Sequence, residues 1–140
     1  MRATSTAVVS ATPDQVWAVL ADHEGMASWG PGMKVELTTE GAPDRNGIGC
    51  VRKISAPGPA PAIVEEITRF EPGAALGYKA LGGVPFKNYR GEVLLTAEGN
   101  GTRIEWTLSA DQRVPYAEKG ALKGISASLL KLLVRAVKKG

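Results

Sequence analysis

The 140-residue chain holds a single cysteine, Cys50, which excludes an intramolecular disulfide and any metal centre built from several thiolates. With only one histidine, His23, a metal site would have to rest on carboxylates, and these do not cluster. No stretch approaches the roughly 20 apolar residues needed to span a bilayer, so no stable membrane insertion is expected. The opening Met1-Arg2-Ala3-Thr4 runs straight into alternating residues, without the apolar centre of a secretory signal. Together with the lone cysteine this points to a reducing, cytoplasmic setting. Also missing are a serine–histidine–aspartate order, metal-ligand spacing and a phosphate-cradling glycine loop; Gly47-Ile48-Gly49 reads as a turn entering a strand. No cofactor and no metal are expected.

Charge is modest in sum and uneven in place. The net formal charge is +3, yet from Pro115 onward six basic residues (Lys119, Lys123, Lys131, Arg135, Lys138 and Lys139) face one acid, Glu118. The preceding residues carry 11 basic and 13 acidic groups, the remainder of totals of 17 and 14. A basic balance confined to one segment argues against a nucleic-acid-binding domain, whose charge would follow an extended groove. The basic helix face reads as solvated, with contact to anionic lipid or an acidic partner as the alternative.

The patterning is that of alternating strands with two kinds of helix. Residues 2–10 alternate as a strand, and Thr12-Pro13-Asp14-Gln15 then has the chemistry of a capped helix start. Val16, Trp17, Val19 and Leu20 give that helix an apolar stripe, and Met26 to Trp29 supply one further helical turn. Strands are expected over 34–39, 48–54, 63–70, 75–81, 86–97 and 102–110, separated by segments rich in glycine and proline. Glu98-Gly99-Asn100-Gly101 suits a tight hairpin. From Pro115, Leu122, Ile125, Leu129, Leu132, Leu133 and Ala136 recur at helical spacing.

Length, and the lack of any linker or repeat, predict one domain over 1–140. Short turns between successive strands imply antiparallel pairing. The expected fold is therefore α+β: a curved seven-stranded antiparallel sheet gripping a long C-terminal helix, with two short helices after the first strand. Gly77, Gly82, Gly83 and Gly91 are places where such a sheet can bend.

These words in this order resemble the START-related superfamily of helix-grip proteins, and most of all its bacterial polyketide cyclase/dehydrase-like group. The resemblance is carried by residues 12–22, TPDQVWAVLAD, with Met26-Ala27-Ser28-Trp29, Gly47-Ile48-Gly49-Cys50-Val51-Arg52 and Glu66-Ile67-Thr68-Arg69-Phe70-Glu71-Pro72. Leu76-Gly77-Tyr78, residues 85–91, PFKNYRG, and residues 101–106, GTRIEW, complete it. It runs over nearly the whole chain and implies an internal cavity between sheet and helix. It does not imply one activity, since one fold hosts many.

Alternation places Tyr78, Tyr89 and Trp106 on one concave surface, an aromatic wall suited to a flat apolar ligand or, alternatively, an ordinary core. Trp29 packs at the expected mouth, while Ile125 and Leu129 approach from the long helix. Arg52 and Glu66, if both point inward, form a buried pair or bind a ligand carbonyl. His23 is a general acid–base candidate or a locally bonded loop histidine. Cys50 reads as inert packing.

Three functions follow. The first is a carrier or sensor that binds a small lipid-like or aromatic molecule, as a monomer or homodimer. The second is a polyketide cyclase/dehydrase using the same cavity; the resemblance implies Arg52 on a carbonyl or enolate, Tyr78 or Tyr89 as proton donor, and Glu66 or His23 as base. The third is a protein-interaction module that uses the basic helix. The absence of an assured acid–base pair favours binding.

Overall fold

The computed structural model describes residues 1–111 and 117–139. Thr12 starts the first helix: its side chain accepts from the Gln15 backbone N–H, and the Gln15 side chain accepts from the Thr12 N–H, at 3.2 and 2.9 Å. That helix, α1 (Pro13–Leu20), follows strand β1 (Arg2–Val9) and precedes a 3-10 helix over Glu24–Trp29. Six strands come next: β2 (Lys34–Thr39), β3 (Val51–Ser55), β4 (Ile63–Glu71), β5 (Ala75–Gly82), β6 (Arg90–Glu98) and β7 (Gly101–Ser109). Helix α2 (Ala117–Lys139) ends the chain. The start expected at Pro115 lies outside the described residues.

All seven strands form one antiparallel sheet in the order β1-β7-β6-β5-β4-β3-β2. Strands β2 to β7 are a meander. The two short helices carry the chain from β1, at one edge, to β2 at the other. Glu98 pairs with Gly101, and Gly99 takes φ +59°, so the β6–β7 connection is the expected tight turn.

Two strand starts differ from expectation. The third strand begins at Val51 rather than at 48, because residues 41–49 fold into a loop closed by Gly41 N–H to Arg45 O and Ala42 N–H to Ile48 O. Gly49, at φ +88°, ends it, and Ile48 stays exposed. Strand β6 begins at Arg90 rather than at 86, after Asn88 has turned the chain at φ +55°.

Helix α2 lies across β1 and β7 and touches α1 and the 3-10 helix. It buries Leu122, Leu130 and Leu133 against the Val93, Ile104, Trp106 and Leu108 side of the sheet. Fully burying a leucine contributes about 1.5–3 kcal/mol, so this stripe holds the helix down. A buried polar contact sets its position: Ser126 Oγ donates to Lys123 O, so the Ser5 hydroxyl donates to Ser126 Oγ at 2.7 Å. Lys123 Nζ also caps the Thr4 carbonyl of edge strand β1.

Candidate functional site

Cross-strand pairing builds the inner face row by row. Leu37, Arg52, Glu65 and Ala80 are successive neighbours across β2, β3, β4 and β5. A second row runs Ile67, Tyr78, Gly91 and Leu108, and a third Leu76, Val93, Trp106 and Ser5. Arg52 and Glu65 are thus buried opposite each other, 3% and 5% exposed. Arg52 Nε donates to Glu65 Oε1 at 2.9 Å, and Nη2 reaches the same oxygen at 2.8 Å.

The expected partner was Glu66, and the structure corrects it. Glu66 stands opposite Val51, is half-buried on the other face, and has Lys79 3.8 Å away. The reason is a bulge in β4. Ile67 pairs with Tyr78, but Arg69 pairs with Gly77, so one residue of β4 is extra and the alternation flips. Phe70 therefore shares the inner face with Glu65, not with Glu66, and packs edge-on against Trp17 at 5.0 Å. Simple alternation carries no sign of this.

His23 is fully buried, and its partners fix its tautomer. A guanidinium only donates and a backbone carbonyl only accepts. Arg52 Nη1 lies 3.0 Å from His23 Nδ1, and Asn46 O lies 2.8 Å from Nε2. The ring is therefore neutral, with its proton on Nε2. Burial, then the Arg52 charge, lowers its pKa to about 4.

The aromatic side chains extend this cluster. Trp106 Nε1 donates to the Tyr78 hydroxyl at 3.1 Å, and the Arg52 guanidinium lies 5.0 Å over the Tyr78 ring. Trp29 meets Trp106 edge-on at 6.4 Å, and Phe86 stacks on Tyr89 at 5.9 Å. Burial pushes both tyrosine hydroxyls to higher pKa, with Glu65 as the next cause, and burial also raises the Cys50 thiol. Phe86 was not singled out from sequence, where it read as the start of a strand.

Tyr78 and Trp106 are 2% and 1% exposed, so they are covered by protein and back the site. Above them stand half-buried apolar groups: Val35 and Leu37 on β2, Ile54 on β3, Ala80 on β5, and Phe86. On α2, Leu130 and Val134 border β1, whereas Leu129, about 100° round the helix from Leu130, and Ile125 lie on the opposite flank, also half-buried. Clefts outlined by the described residues include one of about 500 Å³ on the outer sheet face, by Arg2, Thr68 and Gly77. Another, of about 450 Å³, lies between β1 and α2. Neither is lined by Arg52, Glu65 or His23, although the first reaches Tyr78. Among the described residues no group of histidine, cysteine and carboxylates is placed to hold a metal, and no helix is long and apolar enough to cross a membrane.

No curated protein sequence matches the chain. Among solved structures it is similar to Ara h 8.0201, with 16% identity, a TM-score of 0.77 and coverage of 100% of this chain and 99% of that one. A protein from Thermus thermophilus gives 21% identity and a TM-score of 0.75 over 99% and 98% of the two chains. A START superfamily protein from Mycobacterium smegmatis gives 13% identity and the same TM-score over 99% and 94%. These likenesses establish the helix-grip fold. The family model for polyketide cyclase/dehydrase and lipid transport matches residues 1–138, and the chain belongs to that family.

Proposed function

We propose that the protein binds a small apolar molecule between the inner faces of β2–β5 and the Ile125–Leu129 flank of α2. One observation carries this reading: among the described residues α2 packs over β1 and β7, so the apolar inner residues of β3 and β5 stay half-buried without α2 over them, while β2 meets the 3-10 helix. Ile54, Ala80, Phe86, Tyr89, Ile125 and Leu129 would line the space, with Arg52, Glu65 and Tyr78 at its base and Trp29 behind Trp106. The family, which includes lipid transport, supports this use of the fold.

Binding is favoured over cyclase or dehydrase chemistry by the way the polar groups are spent. His23 Nδ1, the atom that would act as base, is taken by Arg52, and the inward carboxylate is paired with the same guanidinium. A catalytic base needs a free lone pair directed at its substrate. The test is native mass spectrometry of freshly purified protein: a co-purified apolar molecule, or uptake of added 1-dodecanol at one equivalent, is expected. Failure to retain any added apolar compound overturns the proposal.

A further inference from the structure

We propose that this site is built for an uncharged guest, and that Glu65 is the residue that sets the selectivity. The inference rests on the pocket reading above.

An arginine at the base of an apolar pocket is ordinarily an anion receptor, because its planar fork matches a carboxylate or sulfonate. Here the fork is already filled from within. Nε and Nη2 converge on Glu65 Oε1 at 2.9 and 2.8 Å, and Nη1 donates to His23 Nδ1 at 3.0 Å. Two of the five N–H donors of the guanidinium are thereby hydrogen-bonded to protein partners, and Nη2 sits in ion-pair contact with the same carboxylate. Its face rests on the Tyr78 ring, 5.0 Å away.

The charges of the cluster cancel. Arg52 contributes +1, Glu65 −1, and His23 nothing, since its two partners hold it in the neutral tautomer. An incoming anion therefore gains no net attraction to offset the cost of stripping water from its charge. A hydroxyl or a carbonyl meets no such penalty. The expected guest is thus a neutral, largely apolar molecule bearing an alcohol, ketone or ester oxygen, and not a fatty acid anion.

Two probes of nearly the same ring system separate the outcomes. N-phenyl-1-naphthylamine is neutral, and 8-anilino-1-naphthalenesulfonate adds one negative charge. By fluorescence titration at pH 8, with displacement by 1-dodecanol assigning both to one site, the parent should bind the neutral probe at least about 10-fold more tightly. Glu65→Gln should erase or invert that preference, read as the ratio of the two affinities in the same protein. Glu65→Asp, which keeps the charge, should keep the preference.

If neither probe binds, the pocket reading itself falls. If the parent binds both equally, the pocket stands and the selectivity is overturned, whether or not the Gln variant folds. A folded Glu65→Gln protein that still rejects the sulfonate, or a Glu65→Asp protein that accepts it, removes Glu65 as the cause.

Discussion

Replacing Gly91 by alanine is normally expected to help a strand, because glycine there is about 0.5–1 kcal/mol worse than alanine. In this protein it should do the opposite. A Cβ on Gly91 would lie 2.2 Å from Cζ and 2.4 Å from the hydroxyl of Tyr78, its cross-strand partner. Carbon atoms pack at about 3.5–4.0 Å, so the ring must move by more than an ångström. It has nowhere to go: the hydroxyl is held by Trp106 at 3.1 Å, and Arg52 lies over the ring at 5.0 Å. Overpacking costs about 1–3 kcal/mol, and leaving the buried Trp106 N–H unpaired about 1–3 more. The two overlap, so a net loss of about 2–4 kcal/mol is expected. For a chain of this size that lowers Tm by roughly 6–15 °C.

The assay is urea unfolding of Gly91→Ala, Tyr78→Leu and the double variant. With the ring removed, the alanine should cost less than about 1 kcal/mol, giving a coupling of about 1–3 kcal/mol. A Gly91→Ala protein as stable as the parent, or one that loses equally in both backgrounds, refutes the argument that this glycine exists to admit the ring.

Burial and Arg52 hold the His23 pKa at about 4, below its usual value near 6.5, so the unfolded chain binds the extra proton across that window. Stability from this group is complete above about pH 6.5 and is lost as pH falls toward 4, by at most about 3 kcal/mol; His23→Gln should flatten that slope in melts taken from pH 7 to 4. Arg52→Met leaves Glu65 buried without its partner and should cost about 3–5 kcal/mol, whereas Arg52→Met with Glu65→Met should recover most of it; equal losses in the single and double variants by urea unfolding would contradict the pairing. Ser126→Ala strands the Ser5 hydroxyl and should cost about 1–3 kcal/mol, while adding Ser5→Ala brings the loss back toward zero in the same measurement. Thr12→Ala removes one half of the capping box and should lower stability by about 1 kcal/mol, visible as a fall of a few degrees in Tm.

Local chemistry made much of this fold readable. The Thr12–Gln15 cap, the Glu98–Gly101 turn and the clean alternation of β7 each rest on interactions between near neighbours, and each is found where the residues imply. The strand starts at 51 and 90 were hidden because they depend on loops closed by backbone conformations, at Gly49 and Asn88, that no periodicity reports. The site was legible only in part. Arg52, Tyr78 and Trp106 fall on the expected inner face, and Tyr89, buried just ahead of β6, bonds to Tyr78 beside them. Glu65 was not, because the bulge after Ile67 exchanges the two faces between Glu65 and Phe70. His23 joins the cluster through Arg52 Nη1 and is held from its other side by the Asn46 carbonyl, both long-range contacts that no periodicity reports.

Binding requires a guest to reach the inner faces of β2–β5 beside α2. Titrating isotope-labelled protein with 1-dodecanol, while following backbone amide shifts, tests this most directly. Shifts concentrated at Val35, Leu37, Ile54, Ala80, Ile125 and Leu129 are the expected result. Shifts confined to the outer sheet face or to the groove between β1 and α2, or none at saturating alcohol, would contradict it.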